Sequence, residues 1–259
     1  MIKAKKKYGQ NFLVDKGVIN KIIEAINPNN SEKILEIGPG LGALTTQILN
    51  KIDHIDVVEI DPDMIKVLQE KIPSTKITIF PSNILEMSND IIGKYDKVIG
   101  NLPYYISSEI LLKMIKTISN QKDLHFMLQK EVAERISSST HSKSYGRLSV
   151  MLQYFFNIEL LFDIQPESFS PPPKVISSLV RLIPKINHIN KVKNINSFEK
   201  LLKISFSQKR KTIKNNLKSI LNYDDLNILE INPQDRAEML SLADFVRIEN
   251  YIFDKKILD

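Results

Sequence analysis

The chain predicts an α/β protein: a doubly wound domain on a seven-stranded, mostly parallel sheet, followed by a small C-terminal all-helical domain. Three observations predict it. Short apolar, β-branched runs alternate with amphipathic helical stretches from Lys33 to about Glu131, the pattern of buried strands covered on both faces by crossover helices. The last two strand-like runs, Ile158 to Ile164 and Ile176 to Leu182, are joined by a loop with Pro171-Pro172-Pro173 and no crossover helix, so the sheet is expected to end antiparallel. Beyond Ser197 the periodicity is helical only, with Phe198, Leu201, Leu202 and Phe206 on one stripe and Leu240, Phe245, Ile248 and Ile252 on others.

The elements follow in order. Asp15 to Ile26 is the first expected helix, with Asp15 as an N-cap type and Val18, Ile19, Ile22, Ile23 and Ile26 on one face. Pro28 and Asn29-Asn30 end it. Lys33 to Ile37 is a strand stopped by Gly38-Pro39-Gly40, and a helix is expected over Leu41 to Ile52. Ile55 to Ile60 is the second strand. Pro62 to Ile72 is the next helix, with Pro62 in its first turn, where a missing N–H costs nothing. Lys76 to Phe80 and Tyr95 to Gly100 are the third and fourth strands. Ser107 to Ile118 is a helix, Leu124 to Leu128 the fifth strand, and another helix starts near Glu131. The first domain is expected over residues 1–184. Residues 185–259 are expected to form a polar linker, Lys185 to Asn196, and the helical domain.

Composition excludes several classes. The 259 residues include no cysteine, so disulfides and thiolate metal sites are ruled out, in keeping with a reducing cytoplasm. His54, His125, His141 and His188 have no ligand spacing, so no metal is expected. No apolar run is long enough to span a bilayer. The basic start is followed by Tyr8-Gly9-Gln10-Asn11 rather than an apolar stretch, so it is not expected to be a secretory signal. The net charge of +6 permits a polyanionic partner without requiring one. Its location says more: Lys203 to Lys218 holds Lys209-Arg210-Lys211, Lys214 and Lys218 with no acid among them. A solvated helix face would also look like this, but the lack of acids favours phosphate contact at helical spacing.

Two motifs carry chemistry. Leu35-Glu36-Ile37-Gly38-Pro39-Gly40-Leu41-Gly42 sits where a strand feeds a helix, and glycines there let a ligand approach the backbone. The spacing is neither that of a dinucleotide loop nor that of a phosphate loop. Glu59, at the end of the second strand, is placed to bind ribose hydroxyls, whereas Asp61 before Pro62 reads equally as a helix cap. The second motif, Asn101-Leu102-Pro103-Tyr104, follows the fourth strand. Adenine N6 is a poor nucleophile because its lone pair is delocalised. Acceptors aimed at its N–H groups, such as the Asn101 side-chain oxygen and the Leu102 carbonyl, would favour the tetrahedral form that attacks. Pro103 would stiffen the loop, and Tyr104 could stack on an extruded base. Taken alone the motif is equally a turn with a buried tyrosine; behind a glycine corner the functional reading is favoured. Phe169 is either a second stacking ring or a packing anchor.

Together these residues resemble the ribosomal RNA adenine dimethyltransferase family. The likeness runs over nearly the whole chain: Tyr8-Gly9-Gln10-Asn11-Phe12-Leu13, the Gly38 loop, the Asn101 motif continuing as Tyr105-Ile106-Ser107-Ser108, and Phe169 with its proline run and Lys174-Val175. Phe206-Ser207-Gln208-Lys209-Arg210-Lys211-Thr212, then Asn232 to Glu238, is similar to the small-subunit branch rather than the erythromycin-resistance branch. The resemblance implies a Rossmann-like class I methyltransferase fold with S-adenosyl-L-methionine as cofactor. It implies dimethylation of the N6 of two adjacent adenosines in the 3′-terminal hairpin of small-subunit (16S) rRNA, in an assembling small ribosomal subunit in the cytoplasm. Cofactor contacts are implied for Asn11, Leu13, Gly38, Glu59, Asn83 and Asn101. Catalysis falls to Asn101, Leu102, Pro103 and Tyr104, and RNA contact to Tyr104, Phe169, Lys209, Arg210, Lys211 and Lys214. Two positions depart from the family pattern: Asn83 stands where an Asp is usual, which predicts weaker cofactor binding, and Tyr105 stands where Asn is frequent. A large-subunit rRNA methyltransferase, a non-catalytic rRNA-binding assembly factor and a DNA adenine methyltransferase are the rival readings. The tail, the intact motifs and the lack of a separate base-reading domain argue against them in turn. Nothing points to a dimer, so a monomer is expected.

Overall fold

The computed structural model describes residues 4–119, 121–185 and 191–258. The first three residues of the basic start, His188 and part of the expected linker lie outside these. A two-residue strand, β1 (Phe12–Leu13), precedes helix α1 (Lys16–Ile26). Asp15 Oδ1 accepts from the N–H groups of Gly17 at 2.8 Å and Val18 at 3.1 Å, capping α1 as its sequence requires. The chain then alternates through β2 (Ile34–Ile37), α2 (Ala43–Ile48), β3 (Ile55–Val58), α3 (Pro62–Lys71) and β4 (Ile77–Phe80). Next come α4 (Asn89–Ile92), β5 (Lys97–Asn101), α5 (Ser107–Ile115), β6 (Asp123–Gln129), α6 (Lys130–Ser137) and α7 (Arg147–Phe155). Finally β7 (Phe156–Ile164), β8 (Phe169–Ser170) and β9 (Ser177–Pro184) complete the strands.

The seven-stranded sheet has the order β4-β3-β2-β5-β6-β9-β7. The pairs β3–β4, β2–β3, β2–β5 and β5–β6 are parallel, and β9 runs antiparallel to β6. The expected mostly parallel sheet with an antiparallel end is therefore observed. The strand order reverses beside β2, which lies between β3 and β5. Such a reversal opens a crevice at the carboxyl ends of the strands. A glycine is needed inside β5 there: a Cβ on Gly100 would lie 2.5 Å from the Ile37 carbonyl oxygen of β2.

A small second sheet was not expected. β1 pairs antiparallel with β8, Phe12 opposite Ser170 and Leu13 opposite Phe169, and Val14 N–H donates to the Ser168 carbonyl at 2.8 Å. The ladder ties the N-terminal segment to the proline-rich loop. Phe169 is 3 % exposed and belongs to the core around α1, with Leu13 and Ile23.

Contacts divide the chain into two units, Met1–Ala133 with Asn157–Pro184, and Glu134–Phe156 with Lys185–Asp259. The stretch from Glu134 to Phe156 thus groups with the C-terminal residues rather than with the sheet. Within this second unit the reasons are visible: Tyr154 packs on Phe198 with ring centroids 5.2 Å apart, and Lys185 N–H donates to the Phe155 carbonyl at 2.8 Å. The unit also holds α8 (Ile195–Ser205), α9 (Ile213–Leu217), α10 (Tyr223–Ile228) and α11 (Leu242–Asp254). Phe198, Leu201, Leu202, Phe245, Ile248 and Ile252 form its fully buried core, the stripes expected from the periodicity. Glu249 of α11, also buried, accepts from the Lys193 and Asn194 N–H groups where the chain enters α8.

The basic tail differs from expectation. Lys209, Arg210 and Lys211 do not lie at helical spacing; they occupy an exposed turn between α8 and α9. Lys211 N–H closes the turn on the Gln208 carbonyl at 3.0 Å. Buried Asn216 donates its amide to the Ser205 carbonyl at 2.7 Å, so a side chain from α9 takes over the end of α8. Lys214 lies on α9, its ammonium 5.1 Å from the centre of the Tyr223 ring. Among the described residues no helix is long and apolar enough to cross a membrane.

Candidate active site

The crevice beside β2 is a cavity of about 200 Å³. It is lined by Asn11, Leu13, Gly38, Glu59, Asn83, Asn101, Leu102, Pro103 and Tyr104. These residues come from five stretches of chain, and the fold gathers all of them at the carboxyl ends of the strands. Phe169 is not in the lining, and its ring packs into the core instead.

The floor is the turn after β2. Gly38 and Gly40 have φ of +65° and +55°, a region that costs glycine little. A Cβ on Gly40 would meet the Phe12 ring at 3.1 Å, so glycine lets the β1 segment close over the turn. The Gly40 N–H donates to Glu59 Oε2 at 3.2 Å, and the Asp61 N–H donates to Glu59 Oε1 at 2.8 Å. Each carboxylate oxygen thus has one backbone donor and further lone-pair capacity. Burial raises the Glu59 carboxyl above the ordinary range, against the lowering effect of these N–H groups. Glu36, one turn earlier and equally buried, accepts from the Thr45 hydroxyl at 2.6 Å. Burial pushes its carboxyl up to about 7.

The far wall is the turn after β5. The Asn101 side-chain N–H donates to the Asn11 carbonyl at 2.8 Å. A carbonyl can only accept, so the amide is oriented: Nδ2 faces Asn11 and Oδ1 is turned away from it. Leu102 is fixed by its N–H donating to the Met127 carbonyl at 3.2 Å. Among the described residues its own carbonyl accepts no hydrogen bond. Tyr104 is half-buried, with its hydroxyl 2.6 Å from that of Ser177, and burial raises its phenol above the ordinary range. The Asn83 side-chain oxygen accepts from the Leu85 N–H at 3.0 Å, a local turn bond that an Asp in its place could make equally.

Sequence reasoning missed two features. Glu36 stands inside the glycine motif, and its burial between apolar neighbours in a four-residue strand was the available signal. The other is a cluster of Lys5, Gln10 and Asp61. Asp61 caps α3 by accepting from the Asp63 N–H at 3.1 Å, and also accepts from Lys5 Nζ at 2.6 Å and Gln10 Nε2 at 2.8 Å. No short motif reports a pairing across 56 positions.

The arrangement suits S-adenosylmethionine on this chain's own geometry. It offers a carboxylate oriented by backbone donors, a turn open to close approach, and an Asn101 amide whose oxygen is not the atom held by Asn11. Comparison with known proteins agrees. A family model described as "Ribosomal RNA adenine dimethylase" matches residues 1–254. The ribosomal RNA small subunit methyltransferase A of Neisseria gonorrhoeae is 45% identical over 98% of this chain and 98% of its own length. The protein of the same name from Dechloromonas aromatica is 43% identical over 96% and 98%. A dimethyladenosine transferase from Plasmodium falciparum superposes with a TM-score of 0.81 at 28% identity, covering 95% of this chain and 98% of that one. The 23S rRNA methyltransferase ErmE shares the fold, with a TM-score of 0.69 at 22% identity over 94% and 100%. With its glycine corner, oriented Asn101 and a match along nearly its whole length, the chain belongs to the ribosomal RNA adenine dimethylase family.

Proposed function

We propose that the protein is an S-adenosylmethionine-dependent methyltransferase that dimethylates the N6 of two adjacent adenosines in the 3′-terminal hairpin of small-subunit rRNA. The observation that carries this is the Asn101 amide. Its N–H is committed to the Asn11 carbonyl, so its oxygen is the group left to face a substrate. With the Leu102 carbonyl it forms a pair of acceptors for the two hydrogens of an exocyclic amine. Accepting them draws the nitrogen lone pair out of the ring and toward the methyl donor. Tyr104 offers a ring face against which an extruded adenine can stack.

The cofactor supplies an electrophilic methyl group. Glu59 would hold its ribose hydroxyls, the Gly38 turn would allow close approach of its chain, and Asn83 would accept from its adenine amine. Asn11, through its carbonyl, keeps Asn101 in register. No general base is needed, since the amine sheds its proton after transfer. The helical C-terminal residues carry RNA contact, with Lys209, Arg210 and Lys211 presented on the exposed turn and Lys214 beside it. The partner is an assembling small ribosomal subunit in the cytoplasm, engaged by a monomer.

The test uses labelled S-adenosylmethionine with small subunits lacking the modification and, separately, protein-free large-subunit rRNA, each digested to nucleosides afterwards. Label in dimethyladenosine from small subunits alone is expected. Label from large-subunit RNA would move the protein to the resistance branch, and no label from either would leave a binding factor. Asn101→Ala should lower turnover on the order of 10²–10³-fold while RNA binding persists. Turnover like that of the wild type would remove Asn101 from the chemistry.

A further inference from the structure

The segment from Tyr8 to Leu13 lines the cavity, and the bonds that tie it through Lys5 and Gln10 to Asp61 form a closed ring. Lys5 N–H donates to Gln10 Oε1 at 2.8 Å, which leaves the Gln10 amide nitrogen as the donor to Asp61 Oδ2 at 2.8 Å. Lys5 Nζ then reaches Asp61 Oδ1 at 2.6 Å and Asp63 Oδ2 at 2.6 Å. Asp61 is fully buried. Burial alone would raise its carboxyl, but the bonds from Lys5, Gln10 and the Asp63 N–H outweigh it and hold the group below the ordinary range. It therefore stays charged.

Both ends of this ring touch the machinery. Asp61 N–H donates to Glu59 Oε1, one of the two bonds that aim the Glu59 carboxylate. The residue after Gln10 is Asn11, whose carbonyl orients the Asn101 amide. One buried carboxylate therefore stands between the ribose-binding acid and the loop that meets the target base. A helix cap alone needs only the Asp63 N–H. The extra ion pair and amide bond hold a segment that has few residues of its own to bury.

We propose that Asp61, with Lys5 and Gln10, is a positioning latch: it clasps the segment from Tyr8 to Asn11 over bound cofactor and so couples cofactor binding to the orientation of Asn101. This rests on the cofactor assignment made above. The latch touches neither reacting atom. Its contribution appears as cofactor affinity and as order in the segment, because a released segment must be reordered each time the cavity closes.

The experiment compares wild type, Lys5→Met, Lys5→Arg and Asp61→Asn, with S-adenosylhomocysteine as the probe. Binding is measured by calorimetry and segment order by hydrogen exchange at residues 8–13. Lys5→Met leaves buried Asp61 without its cation but with the Gln10 amide and the Asp63 N–H as donors, so it should melt about 5 °C below wild type and remain folded; it serves as the readable variant should Asp61→Asn fold poorly. Lys5→Met is expected to weaken binding about tenfold, speed exchange at residues 8–13, and raise KM for the cofactor with kcat nearly unchanged. Lys5→Arg, which can still pair with Asp61, should restore all three. Wild-type affinity and exchange in Lys5→Met and Asp61→Asn would overturn the latch while leaving the cofactor site intact. A wild-type chain that binds no S-adenosylhomocysteine would overturn the site assignment, and the latch with it.

Discussion

The two ends of the main sheet both bury charge, but they balance it in opposite ways. At the amino ends of β5 and β6 the chain supplies its own counter-ions. Lys97 Nζ donates to the Ile26 carbonyl at 2.7 Å and lies 3.5 Å from Asp123 and 3.7 Å from Glu32. Arg181 donates Nε and Nη2 to Asp123 Oδ2 at 3.1 and 2.6 Å. At the carboxyl ends of β2 and β3 no cation pairs with Glu36 or Glu59 among the described residues; neutral donors hold both. One end is finished in charge by folding, although Glu32 Oε2, Asp123 Oδ1 and both His125 ring nitrogens are buried there without a hydrogen bond, whereas the other leaves Glu36 and Glu59 without a cation among the described residues. A buried charge therefore locates a site only where the protein has left it without an opposite charge.

The sharpest way to break this comparison is to remove a charge from the finished end. Lys97→Met leaves Asp123 with Arg181 and Glu32 with Lys122, but it uncovers part of two buried carboxylates. A loss of roughly 3 kcal/mol in unfolding free energy is expected from denaturant titration, with cofactor affinity unchanged. A variant as stable as wild type but poor in cofactor binding would mean that the two ends are not separate in role.

The reverse result is expected at the other end. Glu59→Gln puts an amide N–H against one of two backbone N–H donors and, in the role proposed for Glu59, loses an acceptor for the ribose. Cofactor affinity should fall by about 10- to 100-fold, the span expected for hydrogen bonds to a charged group. Stability should change by no more than about 1 kcal/mol, since removing a buried uncompensated charge offsets the lost bond. Calorimetric binding and thermal melting on the same samples decide it.

Much of the fold and of the cavity lining could be read in the residues, the paired charges at the amino ends of β5 and β6 could not, and the difference has physical causes. The strands were legible because they are apolar runs bounded by Gly, Pro and Asn, and α1 because Asp15 and an isoleucine stripe mark it. Helix α7 was not, since it runs into β7 at Phe155-Phe156 with no breaker between the two periods. β1 and β8 are two residues long and have no period to detect. The Lys209–Lys211 turn was read as helix because nothing in Phe206 to Thr212 breaks one. What ends α8 is Asn216, a side chain from the next helix. In the site, Gly38, Glu59 and Asn101 carried signals of position within a strand–turn–helix unit. The Lys5–Asp61 pair carried none, because it exists only after β3 and the N-terminal segment have been brought together.

The smallest expected effect is the most specific, because the two ends should respond to pH with opposite sign. Burial lowers His125, at the finished end, from 6.5 to about 4. A histidine with a depressed folded pKa contributes stability that is complete above about 6.5 and lost as pH falls toward 4. Glu36 is the converse. Burial, with the nearby Glu59 charge adding to it, raises its carboxyl from 4.5 to about 7 against the Thr45 hydroxyl bond. Its stabilising contribution is present below about 4.5 and lost as pH rises through 7. Glu36→Gln keeps an oxygen to accept from Thr45 and cannot ionise. Relative to wild type it should gain about 2 kcal/mol between pH 5 and 8, while the acid-side loss assigned to His125 stays as it was. Denaturant titrations across that range give both slopes. If the variant follows the wild-type curve on the alkaline side, Glu36 is already compensated in the folded protein, and the carboxyl end of β2 is as finished as the amino ends of β5 and β6.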